Sequence, residues 1–192
     1  MLPELISGVG IDLRVPVIDD FAEWRDLREM SVSFLAPLEP KWPPDDLSPA
    51  GFRRRIKRMR LERENGSAYS YFLVRKRSGS EQGEILGGIS AFNIRHGAAR
   101  SASLGYWMGE PHAGNGHMGE AVRILLPRLF ALLKLERIEA ACIAGNERSM
   151  RLLRSAGFQY EGTVRSYLEI NGERRDHELF SLLQSDWQAI KE

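Results

Sequence analysis

The chain has 192 residues, 43% apolar and 28% charged, with a formal net charge of +1. That length supports one domain with a real core, expected to span 1–192, and the near-neutral charge gives no electrostatic reason to expect nucleic acid or an anionic membrane as partner. No apolar run reaches the roughly 20 residues of a bilayer crossing; residues 1–14 lack a signal-peptide pattern and the single cysteine, Cys142, has no partner for a disulfide, so the expectation is a cytoplasmic protein.

Residues 8–17 read as a short extended segment, after which Asp19 and Asp20 offer an N-cap to a helix reaching Met30. Pro37, Pro40, Pro43 and Pro44 predict an irregular loop, with Leu38, Glu39 and Trp42 set among them. Ser48 followed by Pro49 predicts the start of a second helix, ending near Asn65 and Gly66. Strands are expected over 69–76, 85–94 and 101–108, with turns at 78–83 and around Gly97. Met118, Ala121, Val122, Leu125, Leu126, Leu129 and Phe130 then recur at helical spacing, and Pro127 inside this helix predicts a bend near Arg123. Ile138, Ala140, Cys142 and Ala144 alternate along a further strand. Asn146 caps a short helix that Gly157 ends, and Asn171-Gly172 closes a hairpin between 164–170 and 175–183. The order predicts an α+β (mixed α/β) domain on one mostly antiparallel sheet with a βαβ crossover inside it.

The richest stretch runs from Glu110 to Gly119, between a strand and the long helix. Glycines feeding a helix N-terminus expose backbone N–H groups at the positive end of the helix dipole, a geometry that suits pyrophosphate. Gly114, Gly116 and Gly119 also match the dinucleotide fingerprint G-x-G-x-x-G. About 110 residues precede it, however, and the next strand ends without the acidic residue that the fingerprint needs. The sequence has no P-loop, no nucleophile elbow and no zinc-ligand set. Asp176 and His177 are adjacent in a strand and face opposite sides, so they cannot serve one triad. Direct transfer of a group activated on a cofactor is what remains.

Leu104-Gly105-Tyr106-Trp107-Met108-Gly109, Gly114-Asn115-Gly116 and Glu120-Ala121-Val122 resemble the acetyl-CoA signature of the GNAT superfamily. Asn146-Glu147-Arg148-Ser149 and Ala156-Gly157-Phe158 resemble its next segment. Glu161-Gly162, Tyr167-Leu168, Asn171-Gly172 and Arg175-Asp176-His177 are similar to the end of the ribosomal-protein N-acetyltransferase branch, as is Phe34-Leu35-Ala36-Pro37-Leu38-Glu39-Pro40. Ala113 stands where that superfamily usually has Gln or Arg, and Met118 where it has Gly or Ala; the helical phase turns Met118 toward the core.

The resemblance implies a splayed sheet flanked by helices, with acetyl-CoA entering beside the strand that ends at Met108. It implies cofactor contacts from Trp107, Met108, Gly109, Ala113, Gly114, Asn115, Gly116, His117, Met118, Gly119, Glu120, Asn146 and Ser149. Ser149 is the candidate acid, while Glu39 and Glu110 are candidates for the base, with an ordinary loop carboxylate as the alternative for each. An α-amine, with pKa near 8 against about 10.4 for lysine, needs less help from a base. The acceptor implied is therefore a protein N-terminus, with ribosomal proteins as the class. A small amine substrate, a non-catalytic acyl-CoA-binding module and a nicotinamide oxidoreductase stand as alternatives. Seven Arg and Lys residues on the helix over 52–64 read as a solvated face, or as a surface for an anionic target.

Overall fold

The computed structural model describes residues 1–77 and 80–189, with side chains of 76–82 excepted. Among these residues eight strands form one sheet: β1 (Leu5–Ser7), β2 (Asp12–Arg14), β3 (Tyr69–Arg77), β4 (Ser80–Arg95), β5 (Ser101–Met108), β6 (Arg137–Ile143), β7 (Gln159–Ile170) and β8 (Glu173–Leu183). Their spatial order is β1-β2-β3-β4-β5-β6-β8-β7. All neighbours are antiparallel except β5 and β6, which are parallel and joined through the helix α4 (His117–Leu133). A parallel pair needs such a crossover, because a tight turn cannot return the chain to the same end of the sheet.

Alternation along β3 assigns the two faces. Tyr69, Tyr71 and Leu73 join a core that includes the whole apolar stripe of α4, from Met118 to Phe130. Phe72 and Val74 point the other way. They meet Trp24 and Leu27 of α1 (Phe21–Met30) and Phe52 of α3 (Pro49–Glu64). On the α4 side lies also α5 (Glu147–Ser155), through Leu153. The cap signals work through identifiable bonds: Ser48 Oγ accepts from Gly51 N at 3.0 Å, and Asn146 Oδ1 accepts from Ser149 N at 3.1 Å. Asn171 and Gly172 both take positive φ, as a two-residue hairpin turn requires.

Several expectations needed adjustment. The segment over 8–17 contains only β2, and the chain before it adds β1 as an edge strand that three residues were too short to announce. The proline-rich loop is preceded by α2 (Val32–Leu35) and opens with a 3₁₀ turn, Ala36–Leu38. Strand β4 starts at Ser80, inside the expected turn; residues 78 and 79 of that turn lie outside the described residues. Helix α4 is continuous through Pro127, and the Arg128 guanidinium donates to the Ile124 carbonyl at 3.1 Å. On α3, Arg54 and Arg55 pair with Asp45 and Asp46, Arg58 and Arg60 with Glu62 and Glu64, while buried Arg63 donates to the carbonyls of Leu2 and Pro3. Most of that charge is thus spent within the fold. After β8 the chain forms α6 (Gln184–Ala189), and no helix among the described residues is long and apolar enough to cross a membrane.

Candidate active site

The ladder between β5 and β6 stops early. Ser101, Ala102 and Ser103 pair with Arg137, Ile138 and Glu139, after which both strands continue, to Met108 and Ile143, without pairing to each other. The backbone of β5 from Leu104 onward therefore loses its β6-side partner, a cost that a fold accepts only where something else can take those bonds. The opening holds a cleft of about 990 Å³ that passes from the glycine loop before α4, between the diverging strands, to the sheet face left uncovered by α1 and α3.

At one end is the loop. Gly114 and Gly116 have φ of +85° and +81°, and nothing lies within 4 Å of where a β-carbon would sit, so the backbone there faces open space. No side chain caps α4. Its first-turn N–H groups, which have no intrahelical acceptor, are left to whatever enters the cleft. Met118 is 8% exposed and packs in the core, so it does not block them. Ala113, Asn115, His117 and Gly119 also line the cleft, as do Trp107 and Met108. Two residues of the expected set do not. Glu120 turns its carboxylate onto Gly10 N (2.8 Å) and Ile11 N (3.4 Å), fastening the β1–β2 turn to α4. Gly109 donates to the Leu86 carbonyl, and a β-carbon on it would sit 2.4 Å from Leu27, so its small size admits α1.

At the middle of the cleft, Tyr106 reaches from β5 to α5, its hydroxyl 2.6 Å from Ser149 Oγ. Enclosure of the phenol end pushes the Tyr106 pKa well above its ordinary value, against a smaller opposite effect of the Ser149 bond. The phenol therefore stays protonated and able to donate. Ser149 is nearly buried, and its backbone is fixed by the Asn146 cap. Cys142 is buried in the same wall, and its thiol is pushed up by desolvation. It is a packed thiol rather than a thiolate nucleophile.

At the far end stands Glu39, whose surroundings differ from those of a free base. Its Oε1 accepts from Arg28 Nη1 at 2.8 Å, and its Oε2 accepts from Arg28 Nη2 at 2.5 Å and Trp42 Nε1 at 2.7 Å. The Arg28 guanidinium is held against the rings of Trp42 (4.0 Å) and Trp107 (4.9 Å). The Glu39 carbonyl also accepts from Asn171 N at 3.0 Å, tying this loop to the β7–β8 turn. Glu110 is exposed outside the cleft lining, its N–H on Ser31 Oγ. Tyr106, Arg28, Tyr167 and His177 shape the site but were not singled out as functional from the sequence. Only the helical phase of Arg28 beside Trp24 and Leu27 hinted that it faces inward.

Residues 11–159 match the model of the acetyltransferase (GNAT) domain family. The chain is 31% identical over 182 residues to Probable N-acetyltransferase YjcK of Bacillus subtilis (strain 168), covering 95% of this chain and 98% of that protein. It is 31% identical over 177 residues to the ribosomal protein uS5-alanine N-acetyltransferase of Escherichia coli (strain K12), covering 91% and 89%. Among solved structures, Mycobacterium smegmatis RimJ in complex with CoA-disulfide matches with a TM-score of 0.85 at 29% identity, over 95% of this chain and 86% of that one. The splayed parallel pair, the glycine loop on α4 and likeness along nearly the whole length agree: the chain belongs to the GNAT acetyltransferase family.

Proposed function

We propose that this acetyltransferase moves the acetyl group of acetyl-CoA directly onto the N-terminal α-amine of a protein, in a complex that holds both substrates, with ribosomal proteins as the acceptor class and the cytoplasm as its place of work. The whole chain, 1–192, acts as one catalytic domain. The observation that carries the reading is the early end of the β5–β6 ladder, continuous with an uncapped, glycine-fed helix N-terminus.

The residues fit such a cofactor by chemistry. Backbone N–H groups of the loop Gly114 to Gly119 and of the first turn of α4 would take the pyrophosphate, where the helix dipole favours negative charge. The freed edge of β5 around Trp107 and Met108 offers the amide-to-amide bonds that pantetheine needs, and one N–H there would polarise the acyl carbonyl. Acetyl-CoA supplies the acetyl group as an activated thioester. Ser149 Oγ would hand a proton to the sulfur end and be resupplied by Tyr106 Oη, which its surroundings keep protonated. Asn146 sets the position of Ser149, and Glu39 fastens the acceptor loop to Trp107 through Arg28.

The acceptor end favours a chain terminus. Phe34, Leu38 and Ile170 give it an apolar mouth that suits a small first residue, and a relative that names uS5-alanine as its target supports the class. The test is thiol release from acetyl-CoA with peptides beginning in Ala, Ser or Met. Release that depends on the peptide and vanishes when its N-terminus is already acetylated is expected. Cofactor binding without release for any amine would mark a non-catalytic acyl-CoA-binding module instead.

A further inference from the structure

A protein N-terminus is mostly protonated at neutral pH, and an ammonium group cannot attack a carbonyl, so the reading above calls for a proton acceptor. Glu39 is engaged by three N–H donors. His177 on β8 lines the same cleft, on the sheet face that α1 and α3 leave open, and its residue exposure is only 3%. Its Nδ1 lies 3.0 Å from the Arg175 carbonyl. A carbonyl oxygen only accepts, so Nδ1 carries the hydrogen and the neutral ring presents a lone pair at Nε2. Among the described residues Nε2 has no protein partner, and it is not one of the sealed, unpartnered polar atoms of the fold. The lone pair therefore opens on the cleft.

The surroundings hold the ring in place. Tyr167 packs against it edge-on, ring centroids 5.5 Å apart. Tyr167 is delivered by an interruption of the β7–β8 register between Val164 and Leu168, where Ser166 takes the left-handed φ of +48°. That strained turn is fixed twice: Ser166 N donates to Asp176 Oδ1 at 2.7 Å, and Arg174 Nη1 donates to the carbonyls of Ser166 (3.3 Å) and Tyr167 (3.2 Å). Backbone strain maintained by several bonds is a mark of a working site. The groups flanking the ring in register are the apolar Ile143 and Val164. Tyr167 on β7 is the titratable group in ring contact with it, Arg175 precedes it by two on its own strand, Glu39 lines the same cleft, and the Asp176 carboxylate is occupied by the Ser166 turn.

We propose that His177 Nε2 is the proton acceptor for the incoming amine, a role that rests on the transfer reading above. One ammonium proton passes to Nε2 and returns from there to solvent. The freed nitrogen lone pair forms the C–N bond as the C–S bond breaks. The second nitrogen proton then leaves to Nε2, which has already shed the first to solvent, while sulfur takes one through Ser149 Oγ from Tyr106 Oη, and solvent restores that phenol proton. No oxidant or further reactant is needed.

Two variants separate the chemical role from a structural one. In H177N the amide nitrogen can keep the bond to the Arg175 carbonyl while the Nε2 position is lost; in H177Q the reverse holds. The proposal expects kcat/KM for an Ala-starting peptide to fall about 10-fold in H177N at about pH 7, the factor by which an amine of pKa near 8 is protonated there, with unchanged affinity for acetyl-CoA. That rate should recover above about pH 9, where the α-amine sheds its own proton. Nitrogen chemical shifts of the wild-type ring, without substrates, should report the Nδ1–H tautomer. The proposal is overturned if H177N keeps the wild-type rate and pH profile, or if the ring carries its hydrogen on Nε2. A wild-type protein with no peptide-dependent release removes the transfer reading itself and this proposal with it; an active wild type with an unaffected H177N overturns the proposal alone.

Discussion

Tyr106 and Ser149 lie 43 positions apart, on a strand and a helix that only the folded sheet brings within 2.6 Å. Neither residue type is unusual where it stands, so the pairing was invisible along the chain even though Ser149 was in view as a candidate acid. A phenol whose pKa is raised remains a donor through neutral and mildly alkaline pH, and the serine is the atom nearest to receive from it. Y106F and S149A should each lower kcat by about 10- to 100-fold, within the usual range for a proton-transfer group. Acetyl-CoA affinity, read by calorimetry, should stay within about twofold, because the contacts proposed for the cofactor come from backbone groups. A large loss of affinity with kcat intact would place both residues in binding instead. Arg28 and Glu39 teach the same lesson across 11 positions: beyond its helical phase nothing along the chain marked Arg28, which the fold pairs with Glu39 and holds against Trp42 and Trp107.

Elements were legible where their period ran long. The stripe of α4 and the strand 101–108 were read closely because each repeats over two turns or several alternations. The edge strand β1 and the interrupted register of β7 were not, since short or distorted pairing is decided by the neighbour rather than by the segment. The glycine loop was legible as geometry, and its energetics can be tested. Gly116 takes a φ of +81°, where a β-carbon costs roughly 1–2 kcal/mol. G116A should therefore shift the loop out of its cradle and weaken acetyl-CoA binding about tenfold while leaving the far end of the cleft intact. The contact that runs from β6 to β7 across β8 makes a second prediction. Glu161 is held down to about 2, chiefly by hydrogen bonds from Arg137 and then from Ser181. A carboxyl lowered by folding stabilises the chain fully above its ordinary range, and that contribution is lost as pH falls toward the folded value. Thermal midpoints should thus drop between about pH 5 and pH 2, and E161Q should flatten this slope; equal slopes in the two proteins would remove Glu161 from the account.

At the scale of the whole molecule, the sheet is covered on one face by α4 and α5, whereas on the other α1 and α3 cover only the β3–β4 end. The gap at β5 and β6 joins the two faces, so under the proposed function a cofactor entering beside α4 and an acceptor entering from the open face would meet midway. That division of labour was only partly available from the chain. The order of elements and the motifs named the family, but where a parallel ladder ends is decided by how two distant strands meet in the fold, not by either segment alone. The measurement that bears most directly on the account uses a peptide that starts with Ala and carries an internal lysine, incubated with the protein and acetyl-CoA and sequenced by tandem mass spectrometry. The account predicts a single acetyl group on the α-nitrogen and none on the lysine; an acetyl group on the lysine side chain, or an unmodified peptide beside a protein that binds acetyl-CoA, would contradict it.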